Sequence, residues 1–225
     1  MRRYVAAFAA PIILASACSR SAVQIDYIDF VQLGGIRYLV PSVSTPSGSI
    51  LPESIVGAVY GTVKVKLAGS QDPSHKIQDG DAAFLATGTQ VYRVNGYRPT
   101  FRLAARHDGR LLLYESDTNP KARVGADLLD LAGKVQYIGI NDQSSGIVEL
   151  AAIKDPAAVQ NLVDLIEKAP VDQSKQPSGS TRYFIDFHMM DGTEVIRSYW
   201  PDSGELARGI LVPDAVKMAV VAALQ

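Results

Sequence analysis

Two apolar runs flank an Asp191-Gly192 pair in the stretch YFIDFHMMDGTEVIRSYW, residues 183–200. Both runs are rich in aromatic and β-branched residues and mix apolar with polar positions, which is typical of strands with one buried face. An Asp-Gly pair between two such runs indicates a hairpin turn. The stretch therefore predicts two antiparallel strands, Tyr183–Met189 and Thr193–Trp200.

Helical signals lie on both sides of this hairpin. Asp155-Pro156 combines a capping side chain with a proline suited to the first helical position, and Pro213-Asp214 repeats the proline signal. Apolar residues then recur at helical spacing, which predicts a buried stripe on each helix. The first stripe is Val159, Leu162, Val163 and Ile166, and the second is Val216, Ala219, Val220, Ala223 and Leu224.

Further strands are predicted at 135–140, 147–153 and 206–212. With the hairpin and the two helices they give the order ββαβββα over residues 134–225. An antiparallel sheet with helices packed on it is an α+β domain. The C-terminal part of the chain is therefore predicted to be α+β.

The preceding residues 24–116 read as a small antiparallel β unit of about six strands. Its clearest strand is residues 59–67, in which Val59, Gly61, Val63, Val65 and Leu67 share one predicted face. Turn signals separate the other strands: Gly34-Gly35, Asn95-Gly96 and Asp108-Gly109. The segment Leu85–Tyr92, with its Gly88-Thr89 turn, resembles the small SH3-like barrels of bacterial cell-wall proteins. Residues 117–133 are predicted to bridge the two units.

The first 18 residues have the three parts of a secretory signal. Arg2-Arg3 gives a positive start, Val5–Leu14 is mostly apolar, and Ala15-Ser16-Ala17 precedes Cys18. The apolar run is too short to span a bilayer as a helix of the mature protein. It therefore predicts export.

This arrangement resembles the signal peptide of a bacterial lipoprotein. The resemblance implies cleavage after residue 17, a diacylglyceryl group on the Cys18 sulfur and a short tether over residues 18–23. It also implies a protein held by lipid on the outer face of the cytoplasmic membrane, or on the outer membrane of a two-membrane cell. The mature part is similar to uncharacterised exported lipoproteins. An ordinary secretory signal cleaved near Ala17 is the alternative.

Composition excludes some classes of partner. The 225 residues carry a net charge of −1; without Arg2 and Arg3, Lys and Arg fall from 22 to 20 against 23 Asp and Glu, a charge of −3. Such a balance does not favour nucleic-acid binding. Cys18 is the only cysteine, so no disulfide forms within the chain.

Few residues of the sequence are candidates for catalysis or metal binding. The three histidines are His75, His107 and His188, and none has the spacing of a zinc motif, so neither a metal nor another cofactor is expected. A two-residue turn at Asp191-Gly192 would place Asp186 opposite Arg197, with His188 on the same face. This polar cluster is either an acid–base site or a solvated cross-strand ion pair.

Three functions remain open. The first is a membrane-anchored, non-enzymatic binding or interaction module of the cell envelope. Besides the membrane that holds its lipid, its expected partner is another envelope protein or a cell-wall component. The alternative is a cell-envelope hydrolase with its site around residues 183–200, and the third is an assembly role within an envelope complex.

Overall fold

The computed structural model describes residues 27–41, 52–69 and 74–225. The predicted signal, Cys18 and the tether lie outside the described residues. Within them, no helix is both long and apolar enough to cross a membrane.

Eight short strands form the first sheet. They are β1 (Phe30–Leu33), β2 (Ile36–Leu39), β3 (Val56–Thr62), β4 (Val65–Lys66), β5 (Asp81–Ala82), β6 (Gln90–Val94), β7 (Arg102–His107) and β8 (Arg110–Thr118). Their order across the sheet is β3-β6-β7-β8-β2-β1-β5-β4. All neighbours are antiparallel except β4 and β5, which run parallel, so this sheet is mixed rather than wholly antiparallel.

The first sheet curls because one run of chain supplies both of its edges. β3 and β4 are separated only by Val63 and Lys64, yet they lie at opposite ends of the strand order. The bend also divides the predicted apolar face of residues 59–67. Val63 and Leu67 are buried, whereas Val59 and Val65 are exposed, so that face is only partly buried.

Six strands form the second sheet, and all of its pairs are antiparallel. They are β9 (Val135–Asn141), β10 (Glu149–Ile153), β11 (Tyr183–Met189), β12 (Glu194–Trp200), β13 (Glu205–Leu206) and β14 (Ile210–Leu211). Their order is β10-β9-β11-β12-β13-β14. The single strand predicted at 206–212 is instead the pair β13 and β14, because Arg208 and Gly209 take positive φ and turn the chain.

Two helices complete the α+β fold: α1 (Pro156–Lys168) and α2 (Asp214–Ala223). The Asp155 carboxylate accepts a hydrogen bond from the Ala158 amide, so the predicted cap of α1 is confirmed. All four residues of the predicted α1 stripe are buried, as are Val216 and Val220 of α2. Helix α1 packs against β9, and α2 packs against β10 and α1.

The segment between the sheets belongs to the core. Leu128, Leu129 and Leu131 are buried in one apolar cluster with Phe101 from the first sheet and with residues of the second sheet and both helices. The two sheets therefore share packed side chains.

Candidate functional site

One histidine and three carboxylates gather on the open face of the second sheet. Side chains alternate along β11, so Ile185 and Phe187 enter the core while Asp186 and His188 point to the other side. His188 lies opposite Glu194 of β12. Glu149, the first residue of β10, completes the group, which we call the His188 cluster.

The carboxylates surround both nitrogens of the imidazole. On one side, His188 Nε2 lies 3.3 Å from Asp186 Oδ2 and 3.7 Å from Glu149 Oε2. On the other side, Nδ1 lies 3.6 Å from Glu194 Oε1. These separations are longer than the 2.7–2.9 Å usual for a charge-assisted hydrogen bond, so the groups converge without closing on one another.

An aromatic ring holds the imidazole in place. Tyr137 of β9 stacks on His188 with ring centroids 4.0 Å apart and planes 9° from parallel. Lys154 Nζ lies 5.3 Å from the centroid of the Tyr137 ring. The ring therefore limits the orientations open to His188 and brings one cation to the edge of the acidic group.

Two buried oxygens beside the cluster have no hydrogen-bond partner among the described residues. They are Asn141 Oδ1 and Asp186 Oδ1, on side chains only 2% and 4% exposed. The Asn141 amide nitrogen donates to Gly146 O at 2.9 Å and to Asp186 Oδ2 at 3.3 Å, and this fixes the side chain. Leaving a buried acceptor unpaired costs about 1–3 kcal/mol. Such a cost is a reason to expect a ligand that supplies the missing partner.

Gly139 leaves a space at the centre of the cluster. A Cβ atom built on Gly139 would lie 3.0 Å from Glu149 Oε2, 3.3 Å from Asn141 Oδ1 and 3.3 Å from His188 Nε2. One point above this glycine is therefore nearly equidistant from three donor atoms. A side chain at position 139 would occupy it.

Burial sets the protonation of the two central residues. It raises the pKa of Asp186 to about 7, helped by the negative charges of Glu194 and Glu149 and opposed by the Asn141 hydrogen bond. Burial also lowers the pKa of His188, although Glu194 and Glu149 act in the opposite direction. A neutral imidazole with a free lone pair is thus available near pH 7.

Arg197 does not join this cluster, and the predicted pairing of Asp186 with Arg197 is wrong. Asp186 lies opposite Ile196, and Arg197 lies opposite Ile185 on the core side of the sheet. There its Nη1 donates to Glu115 Oε2 at 2.8 Å. Arg197 therefore links the two sheets instead of lining the open face.

The turn explains this shift of one residue. Met189 and Thr193 are the last pair, and the Met189 amide donates to Thr193 O, so the loop has three residues, 190–192. Gly192 has a φ of +81°, as expected for the left-handed last position of such a loop. A slip of one residue moves every side chain of a strand to the other face.

Sequence reasoning missed Glu194, Glu149 and Asn141. A three-residue loop ending on Gly192 would have indicated Glu194, because that register pairs it with His188. Glu149 and Asn141 face each other at the end of β9 and β10, with a bulge following Glu149. Local sequence carries no signal for such a long-range pairing.

The other two histidines lie apart from the cluster. His75 Nε2 lies 2.7 Å from Asp81 Oδ2 of the first sheet, so it is paired with a carboxylate there. His107 lies 3.6 Å from Asp108 and 3.9 Å from Asp29, measured from its two ring nitrogens. Cys18 lies outside the described residues.

A concave region lies near Trp200, apart from the His188 cluster. This cleft of about 350 Å³ is lined mainly by polar and charged side chains, including Asp117, Lys175 and Arg208. Asp117 is held between Arg37 and Arg208 by two ion pairs, so its charge is already matched within the protein. The His188 cluster, with its unmatched carboxylates, is therefore the better candidate site.

The arrangement suits either proton exchange or the binding of a cation. Asp186, His188 and Glu194 each offer a ligand atom within 4.8 Å of the others. No family model, no curated protein and no solved structure matches the chain. Functional conclusions therefore depend on the residues themselves.

Proposed function

We propose that this protein is a lipid-anchored, non-enzymatic binding module of the cell envelope, exported and held at the membrane through Cys18. Its working surface is the open face of the second sheet, and its ligand presents a positively charged group. The motif Leu14-Ala15-Ser16-Ala17-Cys18 supports the anchor. The His188 cluster supports the choice of surface.

The observation that carries the proposal is the imbalance of charge and hydrogen bonding at this cluster. Glu149, Asp186 and Glu194 face one imidazole, and Asp186 Oδ1 and Asn141 Oδ1 remain buried without partners among the described residues. A cation supplies both the missing charge and contacts for the unpaired oxygens. A rigid sheet backed by a packed core holds the donors in place without the ligand.

Intact mass spectrometry of membrane-extracted protein tests the anchor. The mature chain should begin at Cys18 and carry lipid mass, and both features should be lost in a Cys18→Ala variant. An unlipidated chain cleaved near Ala17 would contradict the lipid anchor. A free-standing exported module would then replace the anchored one.

Binding of hexaamminecobalt(III) to the full chain tests the ligand surface. This cation cannot exchange its ligands, so it reports on charge and hydrogen bonding alone. Calorimetric titration should show binding that weakens as salt rises, because partly exposed charges are screened. The double variant Glu149→Gln/Glu194→Gln should weaken the binding at least fivefold.

The matched control removes two exposed carboxylates elsewhere. Glu53→Gln/Asp164→Asn makes the same change in net charge far from the cluster and should leave the affinity within twofold. Equal losses in both double variants would mean that the cation responds only to net charge. No binding to the unaltered chain would equally contradict a cation-binding face.

The alternative, a cell-envelope hydrolase, retains one supporting observation. Asp186 Oδ2 and His188 Nε2 lie 3.3 Å apart, within the range of an acid–base pair before substrate binds. Arg197 has no place in such a site. A His188→Ala variant that stays folded and loses an envelope-hydrolysing activity of the unaltered chain would establish this alternative.

We also propose the finer fold assignments. The curled first sheet, whose edges β3 and β4 are consecutive parts of one chain segment, supports a likeness to SH3-like barrels. The division into residues 24–116, 117–133 and 134–225 is a proposal of the same kind. Limited proteolysis that releases either unit as a stable fragment would support it.

A further inference from the structure

The imidazole of His188 faces three oxygen donors with one of its two nitrogens. Asp186 Oδ2 and Glu149 Oε2 lie around Nε2, and Asn141 Oδ1 is as close as Nε2 to the Cβ position of Gly139, at 3.3 Å. We propose that these four groups bind one divalent transition-metal ion, for which Zn²⁺ is the probe. The metal site presupposes the cation-binding face proposed above but not the lipid anchor.

The two oxygens nearest His188 Nε2 lie at about the separation of neighbouring ligands around a tetrahedral ion. Zinc binds nitrogen and oxygen at about 2.0–2.2 Å, so neighbouring ligands of a tetrahedral site lie about 3.3 Å apart. The distances from His188 Nε2 to Asp186 Oδ2 and Glu149 Oε2 are 3.3 and 3.7 Å. Small side-chain rotations would therefore complete the coordination, since Glu149 is partly exposed and free to adjust.

The unpaired side-chain oxygen of Asn141 is an independent indication of a metal site. Asn141 is almost wholly buried and its Oδ1 has no hydrogen-bond partner among the described residues, although its amide nitrogen is fully engaged. That oxygen lies 3.3 Å from the position that a Cβ atom of Gly139 would take, beside His188 Nε2 and Glu149 Oε2. An ion bound between these donors, farther from the backbone than that position, would satisfy a buried acceptor that has no partner among the described residues.

Glu194 has a different role, because it lies on the other nitrogen. Its Oε1 is 3.6 Å from Nδ1, so a small rotation would let the carboxylate accept a hydrogen bond from Nδ1–H and leave the Nε2 lone pair for the metal. The Tyr137 ring restrains the same imidazole by stacking. Glu194 is therefore a positioning residue and Glu149 is a ligand, a distinction that variants can test.

The donor set selects the class of ion. Imidazole nitrogen favours Zn²⁺ and its neighbours in the transition series, whereas Mg²⁺ and Ca²⁺ prefer oxygen alone. The carboxylates of Asp186 and Glu149 would neutralise the double charge. The site should therefore prefer Zn²⁺ to Mg²⁺ and Ca²⁺.

Zinc titration of the untagged full chain in detergent tests the inference, with a chromophoric chelator as competitor. All proteins carry Cys18→Ala, so that the thiol does not bind the metal. We expect one Zn²⁺ per chain, with binding that a hundredfold excess of Mg²⁺ does not displace. X-ray absorption should show one imidazole nitrogen and oxygen neighbours at about 2.0–2.2 Å.

Variants then assign the roles. His188→Ala, Asp186→Asn and Glu149→Gln should each lower zinc affinity at least a hundredfold, and Gly139→Ala should do so by filling the site. Glu194→Gln should lower it by about 10–100-fold, the usual effect of a group behind a ligand. His75→Ala, which removes an imidazole paired with a carboxylate in the other sheet, should leave the affinity unchanged.

Circular dichroism of each variant shows whether a loss of zinc binding comes from the missing ligand or from unfolding of the protein. Zinc binding that survives in folded His188→Ala, or that falls equally in His75→Ala, would overturn the metal site. If Zn²⁺ fails to bind while hexaamminecobalt(III) still binds, the metal site is wrong and the cation-binding face stands. If neither binds, both proposals fail.

Discussion

The guanidinium of Arg102, which is fully buried, donates from Nε and Nη2 to Glu115 Oε1 at 2.9 and 2.7 Å. The two residues face each other on β7 and β8 of the first sheet. Arg102 also donates to Thr193 Oγ1 and to the Glu194 carbonyl, and Arg197 donates to Glu115 Oε2. A buried charge network thus joins the first sheet to the hairpin that carries the His188 cluster.

Replacement of Glu115 by Gln should destabilise the protein strongly. The change preserves shape but leaves the buried cations Arg102 and Arg197 without their shared carboxylate, which costs about 3–5 kcal/mol. Urea unfolding at pH 7 measures the difference. Glu53→Gln, which breaks an exposed pair with Arg106, is the control and should have a much smaller effect, because water screens exposed charges. Equal effects would show that the buried network contributes no more than a surface pair.

Lowering the pH should remove the stabilisation that the Glu115 carboxylate gives to the folded protein. Burial tends to raise the pKa of this carboxyl, but the charges of Arg197 and Arg102 outweigh it and hold the pKa below the ordinary 4.5. The unfolded chain therefore takes up the proton first, so the stabilisation is complete above pH 4.5 and is lost as pH falls through the lower folded value. The stability difference between the unaltered chain and Glu115→Gln should narrow below pH 4.5. A stability difference between the two proteins that stays constant down to pH 3 would contradict a lowered pKa of Glu115.

Replacement of Arg197 by Met should separate structure from ligand binding. Losing the contact with Glu115 Oε2 should reduce the free energy of unfolding by about 1.5–3 kcal/mol, the usual worth of a hydrogen bond to a charged group. The affinity for Zn²⁺ should stay within twofold, because Arg197 lies on the core side of the sheet. Parallel unfolding and zinc titrations check both values. A large fall in zinc affinity without loss of stability would show that Arg197 belongs to the candidate site after all.

Removal of the helix cap at Asp155 should weaken α1 by a modest amount. Asp155→Ala deletes the acceptor for the Ala158 amide and should cost about 1 kcal/mol. Asp164→Ala, on the same helix, loses only surface contacts with Lys168 and Gln160 and should cost less than the loss of the cap. Thermal unfolding of the two variants provides the comparison, and the reverse order would exclude a role for the cap.

Replacement of Gly125 by Ala should be poorly tolerated. A Cβ at this position would lie 2.1 Å from the carbonyl oxygen of Ile166 in α1, so backbone must move, at a cost of about 3 kcal/mol or more. Gly88→Ala is the control: its φ is +90° but no atom lies near its Cβ, so the cost is backbone strain of about 1–2 kcal/mol. Chemical unfolding distinguishes the two, and a smaller effect at Gly125 would mean that α1 can shift freely.

Local signals predicted most of the regular elements. The Gly34-Gly35 and Asp108-Gly109 turns join β1 to β2 and β7 to β8, and the cap at Asp155 begins α1 as expected. Each signal depends on the conformational preference of a few adjacent residues, so it survives in any tertiary context. The α+β class follows from the order of these elements.

The candidate site was only half predictable. The shared face of Asp186 and His188 follows from the alternation of side chains along one strand. The Asp-Gly pair predicts a two-residue loop, however, and the actual loop has three residues, which places Arg197 on the opposite face. Glu149 and Asn141 reach the cluster through the pairing of β9 with β10 and β11. That pairing depends on which apolar faces share the core.

By itself, the sequence determined the hairpins, the two helices with the cap of α1, and the α+β class, because these depend on short-range preferences and on the order of residues. Only the tertiary structure decided strand register, the curl that exposes Val59 and Val65, and the buried charges that unite the sheets. It also decided that Glu149, Asn141 and His188 meet above Gly139, with Asp186 beside the imidazole. These features come from contacts between distant residues, whose energies depend on the packing of the whole chain.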